Sequence, residues 1–176
     1  MHAEIAIIGG GICGLATAVA LQQRSIQPTV YESTAQYRPV GAGILLQTNA
    51  MRVLDELGLA EAVRTHGAEL TEVTFRSPDG RRLAAFDLSF EREQFGHGFV
   101  AIHRATLQEL LLSVLDSTPV MGMECASVTS LEDPKVEFTD GTTISPDAVI
   151  GADGLGSAVR STVAPNAQPE PAGCVA

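Results

Sequence analysis

The chain has 176 residues, 45% hydrophobic and 18% charged, which excludes a disordered chain and calls for a sizeable packed core. A formal net charge of −10 and an isoelectric point near 4.7 argue against non-specific nucleic-acid binding, which depends on basic side chains. Three well-separated cysteines (Cys13, Cys125, Cys174) without a CxxC pair argue against a disulfide framework or structural zinc site and fit a reducing compartment.

Met1-His2-Ala3-Glu4 lacks the basic region of a signal peptide, and no apolar run reaches the roughly 18 residues that span a bilayer. A cytoplasmic chain with no membrane or nucleic-acid partner is expected. Ile5-Ala6-Ile7-Ile8 is continuously apolar, the pattern of a parallel strand buried on both faces. After the glycine-rich segment 9–14, Ile12, Leu15, Ala16 and Val19 recur at i, i+3, i+4, i+7, one face of a helix. The polar run 22–25 ends it and Pro28 bars its continuation. Thr29-Val30-Tyr31 reads as a second strand closing on Glu32, which completes a βαβ unit. Residues 33–47 read as a long loop, followed by a helix with Ala50, Val53, Leu54 and Leu57 on its buried face and Gly58 as its cap.

Val73 and Phe75 alternate with polar residues, Pro78-Asp79-Gly80 turns, and Leu83 and Ala85 return, which predicts a hairpin. Residues 99–102 read as a strand leading into a helix that carries Leu107, Leu110, Leu111 and Val114 on one face. A second β region follows over 125–150, with Asp140-Gly141 as its tight turn and Ala148-Val149-Ile150 as a final buried strand. The segment 151–157 then opens a short helix ending near Arg160. The pattern is α/β: a Rossmann-like βαβ fold with inserted β-hairpins, expected as a single domain. Segments 1–70 and 97–165 would form its core, with 71–96 as an inserted hairpin.

The motif Gly9-x-Gly11-x-x-Gly14 gains its meaning from context: a strand precedes it, a helix follows, and Glu32 closes the next strand 18 residues past Gly14. Gly9 permits the sharp turn, Gly11 lets a pyrophosphate approach the backbone, and Gly14 lets the helix pack close to the sheet. Glu32 is placed to accept hydrogen bonds from an adenosine ribose and would repel a 2′-phosphate, which argues against NADP at this site. The fingerprint by itself serves FAD and NAD equally.

Arg38-Pro39-Val40-Gly41-Ala42-Gly43-Ile44, Asn49-Ala50 and 54–59, together with the fingerprint and Glu32, resemble the class A flavoprotein monooxygenases. These are single-component aromatic hydroxylases typified by salicylate and hydroxybenzoate hydroxylases. Ile102-His103-Arg104-Ala105-Thr106-Leu107 resembles the family's arginine-bearing helix start, and 149–160 its more specific DG motif. The resemblance implies FAD as cofactor and NADH or NADPH as electron donor. It further implies a flavin C4a-hydroperoxide that hydroxylates a small aromatic substrate. It places Glu32 on the FAD ribose and Arg38, Gly41 and Ala42 near the flavin end. Arg104 would reach the pyrophosphate or ribitol, supported by Gln108, and Asp153 would touch FAD and the nicotinamide donor.

Simpler roles stand beside these. Arg104 would serve equally in a surface salt bridge, Asp153 and Ser157 as helix caps, and Cys13 in packing against the sheet. The four histidines (His2, His66, His97, His103) lack metal-ligand spacing, so no metal is expected, and no catalytic residue is assigned. Family members are far longer and carry a second, GD motif that is missing here. The chain therefore reads as an incomplete part of the flavoprotein hydroxylase fold, with 166–176 starting a truncated substrate domain. A separate C-terminal polypeptide, or self-association through open sheet edges, would complete it. The alternatives are a catalytically inactive nucleotide-binding module and another FAD-dependent oxidoreductase.

Overall fold

The computed structural model describes residues 4–38, 42–167 and 169–173. In chain order its elements begin β1 (Ile5–Ile8), α1 (Ile12–Gln22), β2 (Thr29–Glu32), β3 (Gly43–Leu46), α2 (Thr48–Glu56) and α3 (Ala60–His66). Next come β4 (Ala68–Leu70), β5 (Glu72–Arg76), β6 (Arg82–Asp87), α4 (Ser89–Phe95), β7 (Phe99–His103) and α5 (Arg104–Ser113). The last are β8 (Val120–Met121), β9 (Cys125–Val128), β10 (Val136–Phe138), β11 (Thr143–Ile144), β12 (Ala148–Gly151) and α6 (Ala158–Val163). Two compact units result, one from 1–37 with 114–176 and one from 38–113.

The first unit is built on a parallel sheet in the order β12-β1-β2-β8. Alternation along β1 explains its unbroken apolar sequence. Ala6 and Ile8 join Tyr31, Val128, Val136, Phe138 and Val159 in one core. Ile7 faces the other way and packs with Ala18 of α1 and Val30. A strand closed on both faces has no position for a polar side chain. Phe138 is buried against Tyr31 with ring centroids 5.1 Å apart, and such a ring contributes about 1.5–3 kcal/mol by leaving water. The antiparallel sheet β11-β10-β9 brings Val136 and Phe138 into that core, turning at Gly141 as expected. Strand β12 is only partly buried, since β1 pairs with it along one edge alone.

The second unit holds the antiparallel sheet β3-β7-β4, with Ile44 opposite Ile102 and Leu46 opposite Val100, and the separate hairpin β5-β6. Its core comprises Leu46, Met51, Leu54, Val63, Val100, Leu107 and Leu111, all buried. The structure corrects the loop expected over 33–47: Gly43–Leu46 is a strand because β7 supplies its hydrogen-bond partners. It also rotates two helix faces. Met51 is buried while Val53 is 55% exposed, and Val114 falls beyond the end of α5 and is exposed. Gly58 follows α2 at φ +75°, as its capping role requires. His97 accepts from Arg64 at its Nδ1 (3.1 Å), which leaves the proton of the neutral ring on Nε2, 3.6 Å from Asp55. No helix among the described residues is long and apolar enough to cross a membrane.

Candidate functional site

The first unit contains a cleft of ≈ 280 Å³ above the carboxyl ends of β1, β2 and β12, where open α/β sheets bind ligands. Gly9, Gly11, Glu32, Cys125, Asp153 and Gly154 are among its lining residues. The chain leaves β1 at Gly9 with φ +106°, a conformation that L side chains rarely adopt, and the Gly9 N–H donates to the Tyr31 carbonyl at 2.8 Å. Gly11 then begins α1 as its N-cap, with no side chain capping the helix. Among the described residues no side chain thus caps the first turn of α1, the arrangement that favours an anion.

Glu32 is 9% exposed at the end of β2. Its Oε2 accepts the Gly10 N–H at 2.7 Å, and its Oε1 accepts the Thr34 N–H at 2.8 Å and the Ser33 hydroxyl at 3.2 Å. Burial pushes this carboxyl up, but the hydrogen bonds from Thr34, Gly10 and Ser33 outweigh it, and the net shift is downward. The carboxylate is therefore held charged beside the glycine turn.

Asp153 follows β12 and faces its own chain. Its Oδ1 accepts the Ser157 hydroxyl at 2.6 Å, and its Oδ2 accepts the N–H groups of Ala158 and Val159 at 2.7 and 3.3 Å. Ser157 in turn accepts the Arg160 N–H at 2.9 Å. The pair caps α6, the simpler of the two roles weighed above. Asp153→Ala is expected to cost about 1–2 kcal/mol. Thermal denaturation checks this, and Asp153→Asn, which keeps an acceptor, should lose less. Cys13 departs from expectation: it is exposed on α1 and does not pack against the sheet.

The remaining site residues belong to the second unit. Arg38 and Ala42 are exposed, and the Ala42 carbonyl accepts the Arg104 N–H at 2.9 Å. Arg104 opens α5 with an exposed side chain that forms no ion pair among the described residues. Gln108, one turn later, is buried. Gly41 lies outside the described residues. Sequence reasoning missed Tyr37, whose hydroxyl donates to the Gly10 carbonyl at 3.0 Å, and Cys125, a half-buried thiol in the cleft wall. Burial and the Asp153 charge push the Cys125 thiol up. Neither residue sits in a motif, and only the fold brings them to the turn.

The profile of the FAD binding domain family matches residues 2–173. The chain belongs to this family. Among curated relatives, it is 39% identical over 164 residues to a 3-amino-4-hydroxybenzoate 2-monooxygenase of Streptomyces cremeus, covering 91% of the chain and 42% of that protein. It is 34% identical over 182 residues to 3-hydroxybenzoate 6-hydroxylase 1 of Aquipseudomonas alcaligenes, with 98% and 46% covered. The crystal structure of Klebsiella pneumoniae HpxO complexed with FAD and uric acid matches at a TM-score of 0.79 and 30% identity, with 91% and 41% covered. This FAD binding domain thus spans less than half the length of the relatives it matches and is an incomplete part of their fold. Its first unit combines a helix N-terminus with no side-chain cap among the described residues, a charged carboxylate at the end of β2, and a cleft that both line.

Proposed function

We propose that the cleft of the first unit receives the ADP portion of FAD, with the pyrophosphate on the glycine turn and the ribose on Glu32. In this reading the chain is the FAD-binding part of an NADH- or NADPH-dependent monooxygenase that hydroxylates a small aromatic compound. The observation that carries it is the buried Glu32 carboxylate bonded to the Gly10 N–H within the turn, which ties ribose and phosphate recognition into one rigid piece. When bound, FAD would supply the oxygen-activating redox chemistry. The chain's own task is to hold the cofactor. The N-terminus of α1 offsets the pyrophosphate charge, and Glu32 orients the ribose.

By the family resemblance, Arg104 would extend this grip toward the pyrophosphate with its exposed side chain. Gln108 would support Arg104, and Arg38, Gly41 and Ala42 would serve the flavin side. Asp153 acts through the α6 cap that it forms, keeping one cleft wall in place. Groups that bind the aromatic ring would belong to the part of the relatives' fold that this chain does not cover. A cytoplasmic setting would supply the nicotinamide donor and keep Cys13 and Cys125 as thiols.

The test is a visible spectrum of the purified chain after gel filtration with added FAD. Flavin bands co-eluting with the folded protein are expected, and a folded chain that retains none would overturn the reading. A module without turnover of its own is the second reading, favoured by the 42% coverage of the aminohydroxybenzoate monooxygenase. NADH oxidation by the flavin-loaded chain alone would exclude it.

A further inference from the structure

Two polar groups of Gly10 are held by side chains from outside the turn. The Gly10 N–H donates to Glu32 Oε2 at 2.7 Å, and the Gly10 carbonyl accepts the Tyr37 hydroxyl at 3.0 Å. The Gly10 carbonyl and the Gly11 N–H are the two ends of one peptide plane, and in a trans peptide they point in opposite directions. Whatever fixes the carbonyl therefore aims the N–H. We propose that Tyr37 is a positioning residue for the cofactor's pyrophosphate: by holding the Gly10 carbonyl, it orients the Gly11 N–H toward the site. This rests on the FAD reading above and assigns a role to a residue outside the glycine fingerprint.

Three further observations agree. A Cβ at Gly10 would overlap the Tyr37 hydroxyl, so glycine at this free position of the fingerprint is the counterpart of the tyrosine. The carbonyl is an electronegative group beside an anion site, and a hydroxyl donated to it reduces its repulsion of phosphate. The hydroxyl also stays a donor: burial, and then the Glu32 charge, push its pKa up to about 12. Tyr37 therefore keeps its proton at neutral pH.

The experiment titrates the wild-type chain, Tyr37→Phe, Gly10→Ala and the double variant with FAD, and records the melting temperature of each without FAD. Tyr37→Phe is expected to weaken FAD binding roughly five- to tenfold, the worth of one hydrogen bond. Gly10→Ala should lose much more, and adding Tyr37→Phe should recover part of that loss, because the overlapping atom has been removed. A Tyr37→Phe variant with a lower melting temperature but wild-type FAD affinity would reduce Tyr37 to a structural role and overturn the proposal. So would a double variant no better than Gly10→Ala. Failure of the folded wild-type chain to bind FAD overturns the cofactor reading instead, and the pyrophosphate role falls with it.

Discussion

Gly14→Ala is expected to abolish FAD retention and to destabilise the first unit by about 3 kcal/mol, the upper end of the usual cost of overpacking. A Cβ on Gly14 would overlap the carbonyl oxygen of Gly9 and come within 3.3 Å of the Ile7 side chain. A flexible side chain would swing aside, but the obstructing atom belongs to the backbone of the turn itself. Gly9 is committed on two sides, by its positive φ and by its hydrogen bond to Tyr31, so α1 has to withdraw from β1. That withdrawal carries the helix N-terminus away from the phosphate position. An affinity loss beyond about a hundredfold follows from the same energy. Urea denaturation and FAD titration measure the two effects. Gly43→Ala, where an added Cβ meets nothing within 4 Å, should stay within about 0.5 kcal/mol of wild type. A Gly14→Ala variant as stable as that control would show that α1 and the turn do not need their close approach.

Glu32→Ala is expected to cost about 2–4 kcal/mol, since it removes three hydrogen bonds to a charged acceptor, one of them from the buried Gly10 N–H. Glu32→Gln keeps one acceptor and should fall between the variant and wild type. The two also separate charge from shape through pH. The folded carboxyl titrates below the ordinary glutamate value of 4.5, so the unfolded chain takes up the proton first as pH falls. Its contribution is complete above the unfolded value and is lost as pH drops through the folded one. The stability gap between wild type and Glu32→Gln should therefore be constant near neutrality and narrow below about pH 4.5. A gap independent of pH would mean that the charge of Glu32 does not stabilise the turn.

The βαβ unit was legible because each of its parts is local. Residues 5–8 are apolar without a break, α1 repeats at helical spacing, and Glu32 ends β2. The hairpin β5-β6 and the turn at Gly141 were legible for the same reason, since their residues pair with near neighbours in sequence. What stayed hidden depends on distant partners. Gly43–Leu46 looks like a loop until β7, some sixty residues on, pairs with it. Strand β8 is two residues long, and α3 and α4 are seven each, too short for their periodicity to register. Met51 is buried where Val53 was expected to be because both are apolar, and only the packed core decides which of two apolar residues two positions apart points inward. At the site, Gly9, Gly14 and Glu32 were found by motif spacing, whereas the capping task of Asp153 followed from its position before α6 as one of two readings. Tyr37 was out of reach because nothing in a single sequence ties residue 37 to residue 10.

The placement of the aromatic residues has an optical consequence. The chain contains no tryptophan and only two tyrosines. Tyr31 lines the cleft, and Tyr37 holds the Gly10 carbonyl. When the protein is excited to the red of phenylalanine absorption, its ultraviolet emission therefore originates within the glycine turn and its immediate wall. Any near-ultraviolet absorber seated there would accept that energy at short range. The chain thus carries an intrinsic donor pair, confined to the cleft, that reports on occupancy with no added label and no background from the second unit.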